Sequence, residues 1–229
     1  MLRMSLIIRY LFAGILLISL LNGCALYDSL FGEQREKRPE ELMTEGQTSL
    51  RNGDFEAAFE AFQTIKDRYP YSDFAIEAEL KMGDSLFERD EYEMAYSTYD
   101  EFEKFHPKDK NIPFVIYRKG MSHFKQMERI DNDQSHTLKA KEEFERLVKK
   151  FPRSDYANRA RKNIRECLIF LAEYELHVGH FYFDKGNYRA ALGRFTYLIK
   201  NYPDMGQYNE ALEYISLCKE KLAKETSQP

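Results

Sequence analysis

Tryptophan is absent from the 229 residues, cysteine occurs three times, and no apolar run reaches the roughly 20 residues that a helix needs to cross a bilayer. The first absence removes no core, because 16 Tyr and 17 Phe supply ample apolar surface to bury. Three cysteines allow one intramolecular bridge at most. Positive charge is in short supply too: 34 Lys and Arg against 38 Asp and Glu leave a net charge of -4, whereas nucleic-acid phosphates call for a basic face. No Ser/His/Asp or Cys/His nucleophile pattern, Gly-rich phosphate loop or paired-carboxylate motif stands out, which argues against the enzyme classes they mark.

What is present begins with a distinct N-terminus. Arg3 and Arg9 stand before or within a stretch free of acidic residues, and the apolar run YLFAGILLISLL follows from Tyr10 to Leu21. This is the layout of a signal peptide over residues 1–23, and the run is too short to be kept as a membrane span. Leu21-Asn22-Gly23-Cys24 resembles the bacterial lipobox, which implies lipidation of the Cys24 thiol and cleavage before it. Ala25, not being Asp, then implies release toward the outer membrane. Removing residues 1–23 takes away two positive charges and moves the chain from -4 to -6. Cys167 and Cys218 remain; they close a disulfide only if their Cα atoms come within about 7 Å, and otherwise act as small hydrophobes in helical surroundings.

An internal period organises the rest. Gly46, Ala58, Phe62 and Pro70 are separated by twelve, four and eight residues, and Gly83, Ala95, Tyr99 and Pro107 repeat those intervals 37 residues later. Gly179, Ala191, Phe195 and Pro203 repeat them again, while Gly120, Ala140, Phe144 and Pro152 carry eight extra residues within ERIDNDQSHTL. The pattern resembles the tetratricopeptide (TPR) repeat, in which Gly and Ala let two antiparallel helices approach, the aromatic fills the gap and Pro stops the second helix. The expected fold is all-α: a TPR-type solenoid of helical hairpins, four repeats plus a C-terminal capping helix over about residues 207–225. PYSDFA (70–75) and PRSDYA (152–157) are expected to cap the helices after them through Ser or Asp. A helix over about 156–184 is some 14 residues longer at its start than its counterparts and is expected to project beyond the stack. The domain limits follow: a linker over 24–39, repeats one to the start of three over 40–128, and the remainder over 129–229.

TPR stacks bind along the surface lined by the first helix of each hairpin. That position selects Met43, Gln47 and Leu50, then Leu80, Asp84 and Phe87, then Phe114, Tyr117, Met121 and Phe124. Leu80, Phe87, Phe114, Tyr117, Met121 and Phe124 make a candidate groove for an extended peptide, although each alone also reads as core. Arg153, Arg159, Arg161, Lys162 and Arg165 make a basic run at the start of the long helix, with Arg161 and Arg165 on one face. His177 and His180, with Glu173 a turn earlier, lack the further ligands that a zinc site needs and read as packing and surface residues, so no metal is assigned.

Lipobox, repeats, HPKDKNIPFVIYRKGM and the overlong segment ending FYFDKGNYRAALGRF together resemble the BamD family, lipoproteins of the outer-membrane β-barrel assembly (BAM) machine. The resemblance implies a non-enzymatic scaffold on the periplasmic face of the outer membrane, with no cofactor beyond the covalent lipid on Cys24. It implies binding of a BamA-type barrel protein through the C-terminal repeats, and of unfolded outer-membrane proteins, whose C-terminal signal ends in an aromatic residue, through the N-terminal ones. Other BAM lipoproteins are possible partners. Arg194 in GNYRAALGRF matches a partner-facing arginine of the family, and Arg161 and Arg165 are further candidates for that contact. The insertion after Met127 is shorter than in the family, and one helix follows Pro203, so a smaller barrel contact is expected. The alternative is a periplasmic TPR adaptor in peptidoglycan synthesis or envelope constriction, though the linker is too short for the coiled coil such adaptors often carry.

Overall fold

The computed structural model describes residues 35–127, 129, 133–203 and 205–226, so the signal-peptide run and Cys24 lie outside the described residues. Among the described residues there are nine helices and no strand: α1 (Pro39–Asn52), α2 (Phe55–Arg68), α3 (Ala75–Glu88), α4 (Tyr92–Phe105) and α5 (Ile112–Phe124), then α6 (Ser135–Lys150), α7 (Asp155–Asp184), α8 (Tyr188–Asn201) and α9 (Tyr208–Thr226). The chain divides into Met1–Glu41 and Leu42–Pro229. In the first unit the Arg38 N–H donates to Glu41 Oε2 at 3.1 Å, half of a capping box, and Pro39 occupies the first helical position, where a missing N–H costs nothing.

Within Leu42–Pro229 the spaced pattern is explained by one contact made four times. A Cβ placed on Gly46, Gly83 or Gly120 would lie 2.6, 2.7 or 2.5 Å from the ring of Phe62, Tyr99 or Phe144, and Gly179 meets Phe195 in the same way. All four rings are fully buried, as are Ala58, Ala95, Ala140 and Ala191 one turn earlier. The Gly-to-ring interval is therefore set by how closely two backbones approach. The turns inside three of these hairpins need a left-handed residue, supplied by Gly53 (φ 79°), Gly186 (φ 75°) and, in the second hairpin, Asp90 (φ 61°).

Two expectations are corrected. Ser154 does cap α7, accepting from the Ala157 N–H at 3.1 Å. Its counterpart Ser72 makes the same backbone turn, with Ser72 N–H to Tyr69 O and Ala75 N–H to Ser72 O, yet its buried hydroxyl has no hydrogen-bond partner and α3 starts at Ala75 without a side-chain cap. The second correction concerns the long helix. At 30 residues against 14 for α3, α7 carries sixteen extra residues, but they do not stand free. Ala157, Ala160 and Cys167 are fully buried, and Tyr156 rests on Phe114 and Tyr117 of α5 at 5.5 and 5.7 Å between ring centroids. Small residues on the inner face let the extension lie against the third hairpin.

The buried residues form three clusters: Leu42 to Met82 around Phe62, Leu80 to Cys167 around Tyr99 and Phe144, and Ala191 to Cys218 around Phe195. Into the middle cluster α5 also brings a charge. Lys119, 4% exposed at its side chain, places Nζ 2.6 Å from Asp100, 3.2 Å from Glu103 and 3.5 Å from Glu143. Arg146 completes the network with both nitrogens of its fork on Glu103, at 2.6 and 2.9 Å.

Candidate functional site

The candidate groove residues are brought together on α3 and α5, but as a packed surface. Leu80 and Phe87 are buried; Phe114, Tyr117, Met121 and Phe124 are half-buried against the middle cluster. Tyr117 and Phe124 reach Phe144 at 5.8 and 6.1 Å, and Asn163 of α7 lies 3.0 Å from the Met121 sulfur. The core reading thus holds for Leu80 and Phe87, and the other four are only half-buried. In the first hairpin Met43 is buried, Leu50 is half-buried, and Gln47 donates to Glu77 at 3.2 Å.

Sequence reasoning missed the polar centre of this surface. Arg118, one residue past Tyr117, sets its guanidinium 4.3 Å from the Phe87 centroid and 5.5 Å from that of Phe114. It pairs with Glu88 at 3.1 Å, while Nε stays 3.7 Å from Asp84 Oδ1 and has no hydrogen-bond partner. Asp84 is buried, held by Lys81 at 2.9 Å and by the Tyr99 hydroxyl at 2.7 Å. Burial and then the Asp84 carboxylate push the Tyr99 phenol well above its ordinary range, so it remains a donor. The result is a cation set against two rings and paired with Glu88. The signal for it was Arg118 lying one turn after Phe114 and one hairpin from Phe87.

The fourth hairpin carries a second surface. Arg194 lies 3.2 and 3.4 Å from the two oxygens of buried Glu175 through one nitrogen, Nη1, and is 41% exposed at its side chain. A guanidinium has five donors, so this one-nitrogen contact leaves part of the fork without a partner among the described residues. Tyr182, Ala190, Gly193 and Tyr197 line a cleft with it, and the exposed ring of Phe181 stands next to Tyr182 at 5.6 Å. Arg159, Arg161, Lys162 and Arg165 are exposed on α7, and Arg153 is exposed in the turn before it. Arg161 is tied back to Asn158 at 2.7 Å and to the Pro152 carbonyl at 3.0 Å, and Arg159 sits over the Tyr156 ring at 5.6 Å.

The histidines and cysteines resolve simply. His177 is exposed, and His180 stacks on Tyr214 at 4.4 Å beside Glu210 at 3.3 Å, while Glu173 accepts from Gln207 at 3.5 Å. Cys167 and Cys218 are free thiols buried in different clusters, and burial pushes the Cys167 thiol up to about 12. They act as small hydrophobes.

Comparison with known proteins shows what the chain is similar to. The YfiO model, described as an outer membrane lipoprotein, matches residues 35–228. The outer membrane protein assembly factor BamD of Vibrio cholerae serotype O1 is 27% identical over 211 residues, spanning 88% of this chain and 86% of that protein. The BamD of Rickettsia prowazekii is 33% identical over 171 residues, spanning 75% and 68%. Among solved structures, the TPR2AB-domain:pHSP90-complex of yeast Sti1 aligns over 80% of this chain and 70% of that one, with TM-score 0.47 and 19% identity. No helix among the described residues is long and apolar enough to cross a membrane. The chain belongs to the YfiO/BamD family of outer membrane lipoproteins.

Proposed function

We propose that this protein is a non-enzymatic scaffold of the outer-membrane β-barrel assembly machine, anchored on the periplasmic face by lipid at Cys24. Its fourth hairpin binds the periplasmic part of a BamA-type barrel protein, and its α3–α5 surface receives unfolded outer-membrane proteins. The observation that carries the substrate half is half-buried Arg118, set against the rings of Phe87 and Phe114. A cation set among aromatic rings suits a chain end that pairs a carboxylate with an aromatic side chain. For the barrel half, support comes from Arg194, whose fork is engaged at one nitrogen and borders a cleft and exposed aromatics. Membership of a family whose named relatives are assembly factors supports both.

Affinity purification of the lipidated chain from detergent-solubilised envelope tests the proposal. A BamA-type barrel is expected in the eluate. Recovery of peptidoglycan-synthesis proteins without any barrel would replace this reading with that of a periplasmic adaptor.

A further inference from the structure

Glu93, His123 and His136 come from three helices and meet at one point. Glu93 is the second residue of α4, His123 is next to last in α5, and His136 is the second residue of α6. One ligand atom from each lies within 4.8 Å of the other two. The two imidazoles face each other through the same atom, Nδ1 to Nδ1, at 3.4 Å, and Glu93 Oε1 is 3.9 Å from the Nδ1 of His136. A separation of 3.4 Å is long for a nitrogen-to-nitrogen hydrogen bond. It matches the roughly 3.3 Å edge of a tetrahedron whose metal-to-nitrogen bonds are about 2.05 Å.

We propose that Glu93, His123 and His136 bind a divalent cation of the zinc class, clamping the two ends of the α5–α6 connection onto α4. The ligands are two imidazole nitrogens and one carboxylate oxygen, a set suited to zinc and other borderline cations. By distance the carboxylate oxygen is the ligand that must come closer, and Glu93, 65% exposed at its side chain, has room to do so. His123 is buried and held by the Tyr96 ring at 4.5 Å, so the deepest ligand is already placed. Glu93 and His123 line a cavity of about 350 Å³ bordered by Lys139, Glu142, Glu143 and Arg146, with room for water as a further ligand. The two acidic groups there offset the two basic ones.

The test uses the full lipidated chain in detergent, stripped of metal and carrying no histidine tag, titrated with Co²⁺ as the probe. One equivalent is expected to bind with the visible d–d absorption of four-coordinate cobalt, to be displaced by Zn²⁺, and Zn²⁺ is expected to raise Tm. Glu93→Gln and His136→Asn, both at accessible positions, should each weaken binding by about tenfold or more. His177→Asn should leave it unchanged. The proposal is overturned if no such absorption develops, or if the Glu93 and His136 variants bind cobalt as the parent does.

Discussion

The Tyr99 hydroxyl donates to Asp84 Oδ1 at 2.7 Å, in the one hairpin of four whose gap-filling ring carries a hydroxyl. Phe62, Phe144 and Phe195 fill the equivalent gaps elsewhere, so the shape does not require it. Tyr99→Phe should therefore pack normally yet lose about 1.5–3 kcal/mol, the usual worth of a hydrogen bond to a buried charge. Urea unfolding measures this, and the loss should shrink when Asp84 is already Asn.

Two glycines in helices should respond oppositely to alanine. At Gly120 the added methyl meets the Phe144 ring at 2.5 Å, and overpacking should cost about 1–3 kcal/mol. At Gly193, within α8, nothing lies within 4 Å, so the better helix former should gain about 0.5–1 kcal/mol. Denaturation midpoints of the two variants, at unchanged slope, give the signs directly.

Lys119→Met removes the buried ammonium shared by Asp100, Glu103 and Glu143 and should cost about 3–5 kcal/mol at neutral pH. Acid narrows that gap. Burial alone would raise the Asp100 and Glu103 carboxyls, but hydrogen bonds from Lys104 and Lys119, and from Arg146, outweigh it and hold both below their ordinary 3.8 and 4.5. With depressed carboxylates the folded state binds fewer protons than the unfolded one. Their stabilisation is thus complete above those ordinary values and is lost as pH falls through the folded ones. Unfolding followed from pH 7 into acid should show the parent weakening toward the variant.

Arg194→Gln should reduce recovery of the barrel partner while leaving helical circular dichroism in place. Part of the change will be thermal, because Glu175 is buried and loses its counter-charge. Glu175→Gln separates the two contributions. It neutralises that carboxylate and leaves the guanidinium free to turn outward, so recovery should be kept. If Arg194→Gln pulls down as much barrel as the parent, the fourth hairpin is not the contact.

Much of this was legible because a single contact imposes an interval. The Gly-to-aromatic distance in sequence is the path around one hairpin, and α7, expected over about 156–184, runs from Asp155 to Asp184. Side chains that find partners on other helices left no such trace. Lys119 sits in IPFVIYRKGMSHF, where nothing local announces that carboxylates of α4 and α6 surround it. His123 and His136 are thirteen residues apart across the insertion, whose path no periodicity fixes. Ser72 and Ser154 share a phrase and a turn, yet the helix begins directly after Ser154 and only at Ala75 after Ser72, whose hydroxyl makes no cap. A pattern repeated in the backbone is readable; a choice of side-chain partner is not.

The thirty residues of α7 run about 45 Å without a break. Ala160 and Cys167 belong to the middle cluster, and Leu176 packs on the C-terminal one. One unbroken helix thus contributes to both clusters. Glu175, which pairs with Arg194, and Tyr156, which touches Phe114 and Tyr117, therefore lie on one continuous helix. A single helix thus sets the spacing between the two proposed surfaces.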